Sequence, residues 1–384
     1  MAPQTPVYLD HHATTPLDPR VLALLQRVQR DHFGNAASAG HAFGWAAARL
    51  VEEAREKVAH LIGATAREIV FTSGATEADN MALLGIAGAY GSAGGHMVGT
   101  NLEHEAVQGP LGEVVRRGGA VTTVKAGADG TVAAQDVAAA LRPDTVLVTV
   151  MAAQNEIGTL QPLAAIGRIC KEQGVLLHTD AAQAAGRVPL DVERDGVALM
   201  SLSSHKIYGP KGVGALYVRR RDPRVTLAPL MFGGGQERGL RPGTLNVPGI
   251  AAFGEACLLA EQEMDREAER LRLLRDRLWT ALSGSLEGVH LNGSPSARLP
   301  GNLNVSFEGV RAHSLLGALT VLAVSSGSAC SSTETQPSAV LTAIGVPAAL
   351  AAASLRIGLG RFTTREEVDF AAVTIIEAVT RLRG

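Results

Sequence analysis

The sequence predicts an α/β fold, a mostly parallel sheet covered by helices on both faces, joined to a smaller second domain. Three observations carry that expectation. Short apolar runs alternate with helical patterns through most of the chain as far as Pro248, the pattern of parallel strands buried on both sides. Beyond Pro248 the composition changes to one long, charge-dense helical stretch. A chain of 384 residues is also longer than one simple core usually takes.

The elements follow in order. From about Ala46 to Thr72 a helical pattern, "AAARLVEEAREKVAHLIGA", leads into the apolar run "EIVFTSG". "ATEADNMALLGIAGAYG" reads as a helix, "HMVGTNLEH" as a strand and "VQGPLGEVVRRGG" as a helix. "TVLVTVMAAQNEIG" is an apolar strand with a polar end, "LAAIGRICKEQG" an amphipathic helix, and "VLLHTDAAQAAG" a strand running into a loop. "VALMSLSSHKIYGPKG" and "VGALYVRR" read as two strands about a turn. The long stretch from Gly249 to Gly284 reads as a helix whose Glu267/Arg270 and Glu269/Arg272 pairs, three apart, suit a solvated face. It connects into the smaller domain.

Composition narrows the class. A net charge of −2 and a pI near 6.6 give no electrostatic reason to expect nucleic acid or an anionic membrane as partner. No twenty-residue apolar run predicts a membrane span, and the start lacks the basic and apolar regions of a secretory signal. Three scattered cysteines make no disulfide framework and fit a cytoplasmic, reducing setting. No spaced Cys/His set predicts a metal site.

In such a sheet, ligands gather beyond the carboxyl ends of the strands. There stand Ser73-Gly74-Ala75-Thr76, Glu103-His104, Gln154-Asn155-Glu156, Asp180 with Gln183, and Ser203 to Lys206. Lysines are few: Lys57, Lys125, Lys171, Lys206 and Lys211. Lys206 follows an apolar run, where a lysine can form Schiff bases with carbonyls or equally pair with a phosphate. Asp180 ends an apolar strand, where a carboxylate is costly without a positive partner. Pyridoxal phosphate (PLP) needs a Schiff-base lysine and a carboxylate at its ring nitrogen, and "TSGATEAD" offers its phosphate a helix start.

The collinear motifs "YLDHHATTP", "GNAASAGHAFG", "EIVFTSGATEADN", "EHEAV", "QNEIG", "HTDAAQAAG", "SSHKIYGPKGVGALYV", "GGGQERGLRPGT", "SSGSACSS" and "SLRIGLGRFTT" resemble the cysteine desulfurases of the NifS/IscS type. These belong to the class V aminotransferase group of fold-type I PLP enzymes. The resemblance implies a seven-stranded-type sheet, a large PLP-binding domain over 13–257, and a small α+β domain from 1–12 and 258–384. It implies Lys206 as the Schiff-base lysine, Asp180 at the pyridine nitrogen and His104 stacked on the ring. Asn155 and Gln183 match residues near the substrate and the ring oxygen, and Ala75, Thr76, Ser203 and His205 the phosphate site. Thr244 matches a threonine that reaches the phosphate from the other subunit, implying a homodimer. Arg356 matches the clamp on the substrate carboxylate, and Cys330 the cysteine that becomes a persulfide. L-cysteine would yield L-alanine, with sulfur passed to acceptors such as an iron–sulfur scaffold or a tRNA-thiolation carrier.

Two positions depart from the family pattern: Gln154, where asparagine is frequent, and Gly358, where serine is usual. A selenocysteine lyase or a plain PLP aminotransferase is the nearest alternative, and a non-catalytic sulfur or redox protein a more distant one. Cys330 favours sulfur transfer, since transamination needs no thiol. Cys170 and Cys257 sit on amphipathic stretches and read as core. His11 and His12, read as strand neighbours, would point apart. "YVRRRDPR" reads as a surface loop, and "GGGQERG" lacks a dinucleotide fingerprint's context.

Overall fold

The structure, a computed structural model, describes residues 3–90, 95–326 and 337–384. Cys330 and most of "SSGSACSS" lie outside the described residues. The chain runs β1 (Val7–Tyr8), α1 (Pro19–Asp31), α2 (Ala42–Leu61), β2 (Ile69–Thr72), α3 (Ala75–Tyr90), β3 (His96–Thr100), α4 (Glu105–Arg116) and β4 (Ala120–Val124). It continues through α5 (Ala134–Ala140), β5 (Thr145–Thr149), α6 (Leu163–Glu172), β6 (Leu176–Asp180), β7 (Leu199–Ser203), β8 (Gly214–Val218) and α7 (Val247–Ser285). Then come β9 (Val289–Leu291), β10 (Asn302–Phe307), α8 (Ala312–Ala318), β11 (Leu322–Ala323), α9 (Ala339–Ala343), α10 (Ala348–Ala351), β12 (Ser354–Gly358) and α11 (Arg365–Arg383).

Seven strands form the main sheet in the order β2-β8-β7-β6-β5-β3-β4. Neighbours from β7 to β4 pair parallel, and β8 runs antiparallel to both β7 and β2. Strand side chains alternate between faces, so one residue of each strand enters one core and its neighbour the other. Phe71, Val98, Val148, Leu177, Met200 and Ala215 face α2, α6 and the start of α7. Val70, Met97, Leu147, Leu176, Leu199 and Leu216 face α3 and α4. Continuous apolar strands are what a sheet covered twice requires.

The smaller layer has its own core. Leu271, Leu274, Leu278 and Leu282 of α7 pack on Leu303, Val305 and Phe307 of β10, Leu355 and Ile357 of β12, and Val368, Ile375 and Val379 of α11. Its sheet, β12-β10-β9, is antiparallel. The N-terminal segment crosses to this side: β1 pairs parallel with β11, and Asp10 bridges Gly358.

The single helix α7, 39 residues long and hence about 60 Å, belongs to both cores. Its charged middle is solvated on one side only, where Glu269 and Arg272 are exposed. Glu267 instead pairs with Arg361 at 2.8 Å, and Arg270 donates to the carbonyls of Gly360, Arg361 and Thr363 at 3.1, 2.8 and 2.6 Å. These two side chains are drawn inward because the turn after β12 presents its carbonyls to them. None of the described helices is long and apolar enough to cross a membrane.

Candidate active site

Asp180 and Lys206 come from adjacent parallel strands. Asp180 ends β6 and is buried, its Oδ1 accepting the Ala182 N–H at 2.9 Å. Burial, reinforced by the charge of Asp79, pushes its carboxyl up to about 7. Lys206 closes the short 3-10 turn Ser204–Lys206 that follows β7. Its ammonium donates to the carbonyls of His12 and Ala13 at 2.6 and 2.9 Å. Burial, with Arg187 and Arg356 nearby, pulls it down to about 8. Gln183 Nε2 donates to the same His12 carbonyl at 2.9 Å, so Gln183 and Lys206 share one acceptor.

His104 caps α4, its Nδ1 accepting the Ala106 N–H at 3.1 Å; a neutral ring therefore carries its proton on Nε2. Ala75 and Thr76 open α3 directly after β2 and Gly74. Thr76 and His104 line one open cavity of about 620 Å³ between α3 and α4. Ser203 is buried at the end of β7. His205 Nδ1 lies 3.0 Å from Thr14 Oγ1, and burial pushes its ring down to about 4.

Arg356 of β12 is 1% exposed. Its Nη2 donates to Asp10 Oδ1 at 2.9 Å and Ser325 Oγ at 3.3 Å, and its Nη1 to the Asn155 carbonyl at 3.2 Å. Its Nε–H is buried without a partner among the described residues. Arg356 and Asn155 thus meet in one place. Thr244, by contrast, is exposed, beyond the loop fixed by Glu237 to Arg55 at 2.7 Å. Cys170 and Cys257 are wholly buried, and burial raises both thiols, Cys170 to about 12; they are core.

Sequence reasoning assigned no role to several polar groups here. Asp10 holds Arg356, and its only signal is an acid just after the apolar "VYL". Glu103 Oε1 accepts from Thr100 Oγ1 at 2.8 Å and the Met151 N–H at 3.0 Å, while burial pushes its carboxyl to about 8. Asp79, on α3, lies 3.5 Å from His178 inside the protein. His11 and His12 are not on a strand; both lie in a turn and both are buried, because Asp10 leaves β1 to bridge β12.

The residues fit pyridoxal phosphate. Asp180 is a deep carboxyl with one backbone donor and no cation, which a ring pyridinium would supply. Lys206 is an amine whose proton is loosened by its enclosure. A side chain at Gly74 would meet nothing within 4 Å, so there is open space above the start of α3, where backbone N–H groups suit a phosphate.

Known proteins bear on the same residues. The Aminotransferase class-V family model matches residues 7–370. The cysteine desulfurase IscS of Anaeromyxobacter dehalogenans strain 2CP-C is 53% identical over 378 residues, covering 98% of this chain and 93% of that protein. A solved NifS-like protein superimposes with a TM-score of 0.90 at 37% identity, over 98% of this chain and 99% of its own. The structure titled SspA in complex with cysteine gives 0.81 at 36% identity, over 93% of this chain and all (100%) of that one. With its seven-stranded sheet, its lysine and its buried aspartate in the same frame, the chain belongs to the class-V aminotransferase family, among the fold-type I, PLP-dependent cysteine desulfurases.

Proposed function

We propose that this protein takes sulfur from L-cysteine, leaving L-alanine and a persulfide on Cys330. The observation that carries the reading is Lys206, an enclosed amine pulled down to about 8 and influenced by the charge of Asp180. When bound, PLP supplies a carbonyl that bonds to amines and a ring that takes up charge from the α-carbon. Lys206 would hold it, Asp180 would keep a positive charge on its ring nitrogen, and His104 would cover its face. The amides and hydroxyls of Ala75, Thr76 and Ser203, with His205, would take its phosphate, and Gln183 and Asn155 its ring oxygen.

The chain's own steps follow. Arg356 receives the substrate carboxylate on its unpartnered Nε–H, in a fork held open by Asp10. Lys206, displaced by the substrate amine and neutral, removes the α-proton. Cys330 attacks the substrate sulfur as a thiolate. The S–S bond forms as the C–S bond breaks; its electron pair stays on the β-carbon and takes up a proton there, and Lys206 returns the proton to the α-carbon, which gives alanine.

A homodimer, with Thr244 reaching the partner's site, is supported by large apolar side chains left in water, Phe232, Trp45 and the mutually packed Phe33 and Phe43. The division into 13–257 and 1–12 with 258–384 is supported by the separate cores. Sulfur-acceptor proteins, an iron–sulfur scaffold among them, and a cytoplasmic setting suit an enzyme that needs a reduced thiol. Lys206→Ala tests the central claim. It should abolish the visible absorbance of the lysine–cofactor bond, and a retained band would mean another amine holds the cofactor.

A further inference from the structure

Arg187 is not among the residues that the resemblance assigns, yet it ties together three segments around Lys206: the His11–His12 turn, Gln183 and the turn of Lys206 itself. Its Nη1 donates to His12 Nδ1 at 2.6 Å and Gln183 Oε1 at 3.1 Å. Its Nη2 donates to the carbonyls of His11 at 2.8 Å and of Lys206 itself at 3.0 Å. No acidic side chain forms an ion pair with it among the described residues, so four neutral acceptors hold a largely enclosed cation. A planar fork reaches four such acceptors at once, which a lysine cannot.

His12 is the second member. A guanidinium does not give up its proton, so Nδ1, at 2.6 Å from Arg187, must accept. Nδ1 also lies 3.1 Å from Gln183 Oε1, an acceptor that Arg187 already serves. The ring proton is then on Nε2, which is buried without a partner. The same residue's carbonyl takes the Lys206 ammonium. Arg187 therefore reaches Lys206 by two routes, through the ring and carbonyl of His12 to the ammonium and directly to the Lys206 carbonyl.

Gly358 makes room for this. A Cβ there would stand 2.8 Å from His12 Cδ2 and 3.0 Å from the backbone nitrogens of His11 and His12. Gly358 lies in β12 without the left-handed backbone that itself calls for glycine, so space sets the residue. A large ring at 12 and no side chain at 358 are two halves of one fit, which gives the departure at 358 a physical reason.

We propose that half-buried Arg187 and buried His12 form a positioning unit that fixes Lys206, and that Gly358 is glycine because it must admit the His12 ring. This rests on the reading of Lys206 as the cofactor-bearing residue. The unit touches the lysine's backbone turn and its amine, so loosening it misplaces the group that moves the α-proton. Misplacement of about 1 Å costs on the order of a hundredfold in rate.

The test uses the full chain loaded with PLP, reading both alanine formation and the pH at which the visible band changes. Around Lys206 the charged groups are Arg187, Arg356, Asp180 and Asp10. Arg187→Lys keeps the charge and loses the fork, so kcat should fall about tenfold to a hundredfold with the spectral midpoint unmoved. Arg187→Met should lose as much rate and also raise the midpoint, since a neighbouring positive charge has gone. Gly358→Ala should lower kcat in the parent and cost less in a His12→Ala background, where only the contacts with the backbone nitrogens of His11 and His12 remain, the non-additivity expected of touching groups. Both Arg187 variants within about twofold of the parent, or an equal Gly358→Ala loss in both backgrounds, would overturn the proposal. Lys206→Ala, run beside them, should lose the band. A surviving band overturns the assignment of Lys206 and this proposal with it, whereas a lost band with unmoved Arg187 variants overturns the positioning alone.

Discussion

Raising the pH on cofactor-free protein should show how far its enclosure has changed Lys206. Burial, Arg187 and Arg356 pull the amine from 10.5 to about 8, against the opposing charges of Asp180 and Asp10. That difference is worth about 3 kcal/mol. At pH 7 it raises the neutral fraction from about one in three thousand to about one in ten. The same difference acts on stability. Between about 8 and 10.5 the folded chain binds fewer protons at this site than the unfolded one. Its cost is therefore fully present below about pH 8 and disappears as the pH rises to 10.5. Only the neutral amine attacks a carbonyl, so the rate of cofactor capture should follow it. Mixed with PLP in a stopped-flow instrument, the protein should gain visible absorbance roughly tenfold faster per pH unit, then level off above about pH 8. Asp180→Asn removes an anion that favours the ammonium, so the levelling point should move lower. A rate that still climbs through pH 9.5 would refute the enclosure as described here.

Other outcomes follow from the same geometry. Arg356→Lys keeps a charge but not the fork; a hydrogen bond to a charged group is worth about 1.5–3 kcal/mol, so KM for cysteine should rise about tenfold to a hundredfold while the visible band stays. An unchanged KM would place the carboxylate elsewhere. Cys330→Ser should keep the band and stop alanine formation under reducing conditions; undiminished turnover would show another sulfur acceptor. Glu237→Gln should cost about 3–5 kcal/mol in chemical denaturation, because it leaves Arg55, held by two bonds of 2.7 and 2.8 Å, buried without its carboxylate. A loss under about 1 kcal/mol would mean that water already reaches the pair.

What the sequence revealed and what it hid divide along a physical line. Asp180 and Lys206 were legible because polar groups at the ends of apolar runs are costly to place and so announce a purpose. The main sheet was legible for the same reason, since strands covered on both faces have no polar side to blur them. Arg187 was not legible, because an arginine after a glycine turn looks like any surface arginine until its acceptors are seen. His11 and His12 misled, because alternation holds only within a strand and β1 has already ended at Tyr8. The Glu267 and Arg270 spacing suggested partners on the same helix, while the carbonyls of 360–363 offered better ones from more than ninety residues away. The segment of β10 to β12 gave little signal, being short and dependent on α7 for cover.

The bridge between Asp10 and Gly358 has a consequence for how the enzyme comes into being. Arg356 is held by Asp10, and His11 by the Gly358 carbonyl, so the turn after β1 waits for β12, some 346 residues further along the chain. A domain made early in translation can fold before the rest, and the main sheet, complete by Val218, can do so here. The carboxylate fork cannot. A nascent chain therefore carries its sheet and its lysine but not its working pocket, and the capacity to cut carbon–sulfur bonds arrives only once β12 has been made.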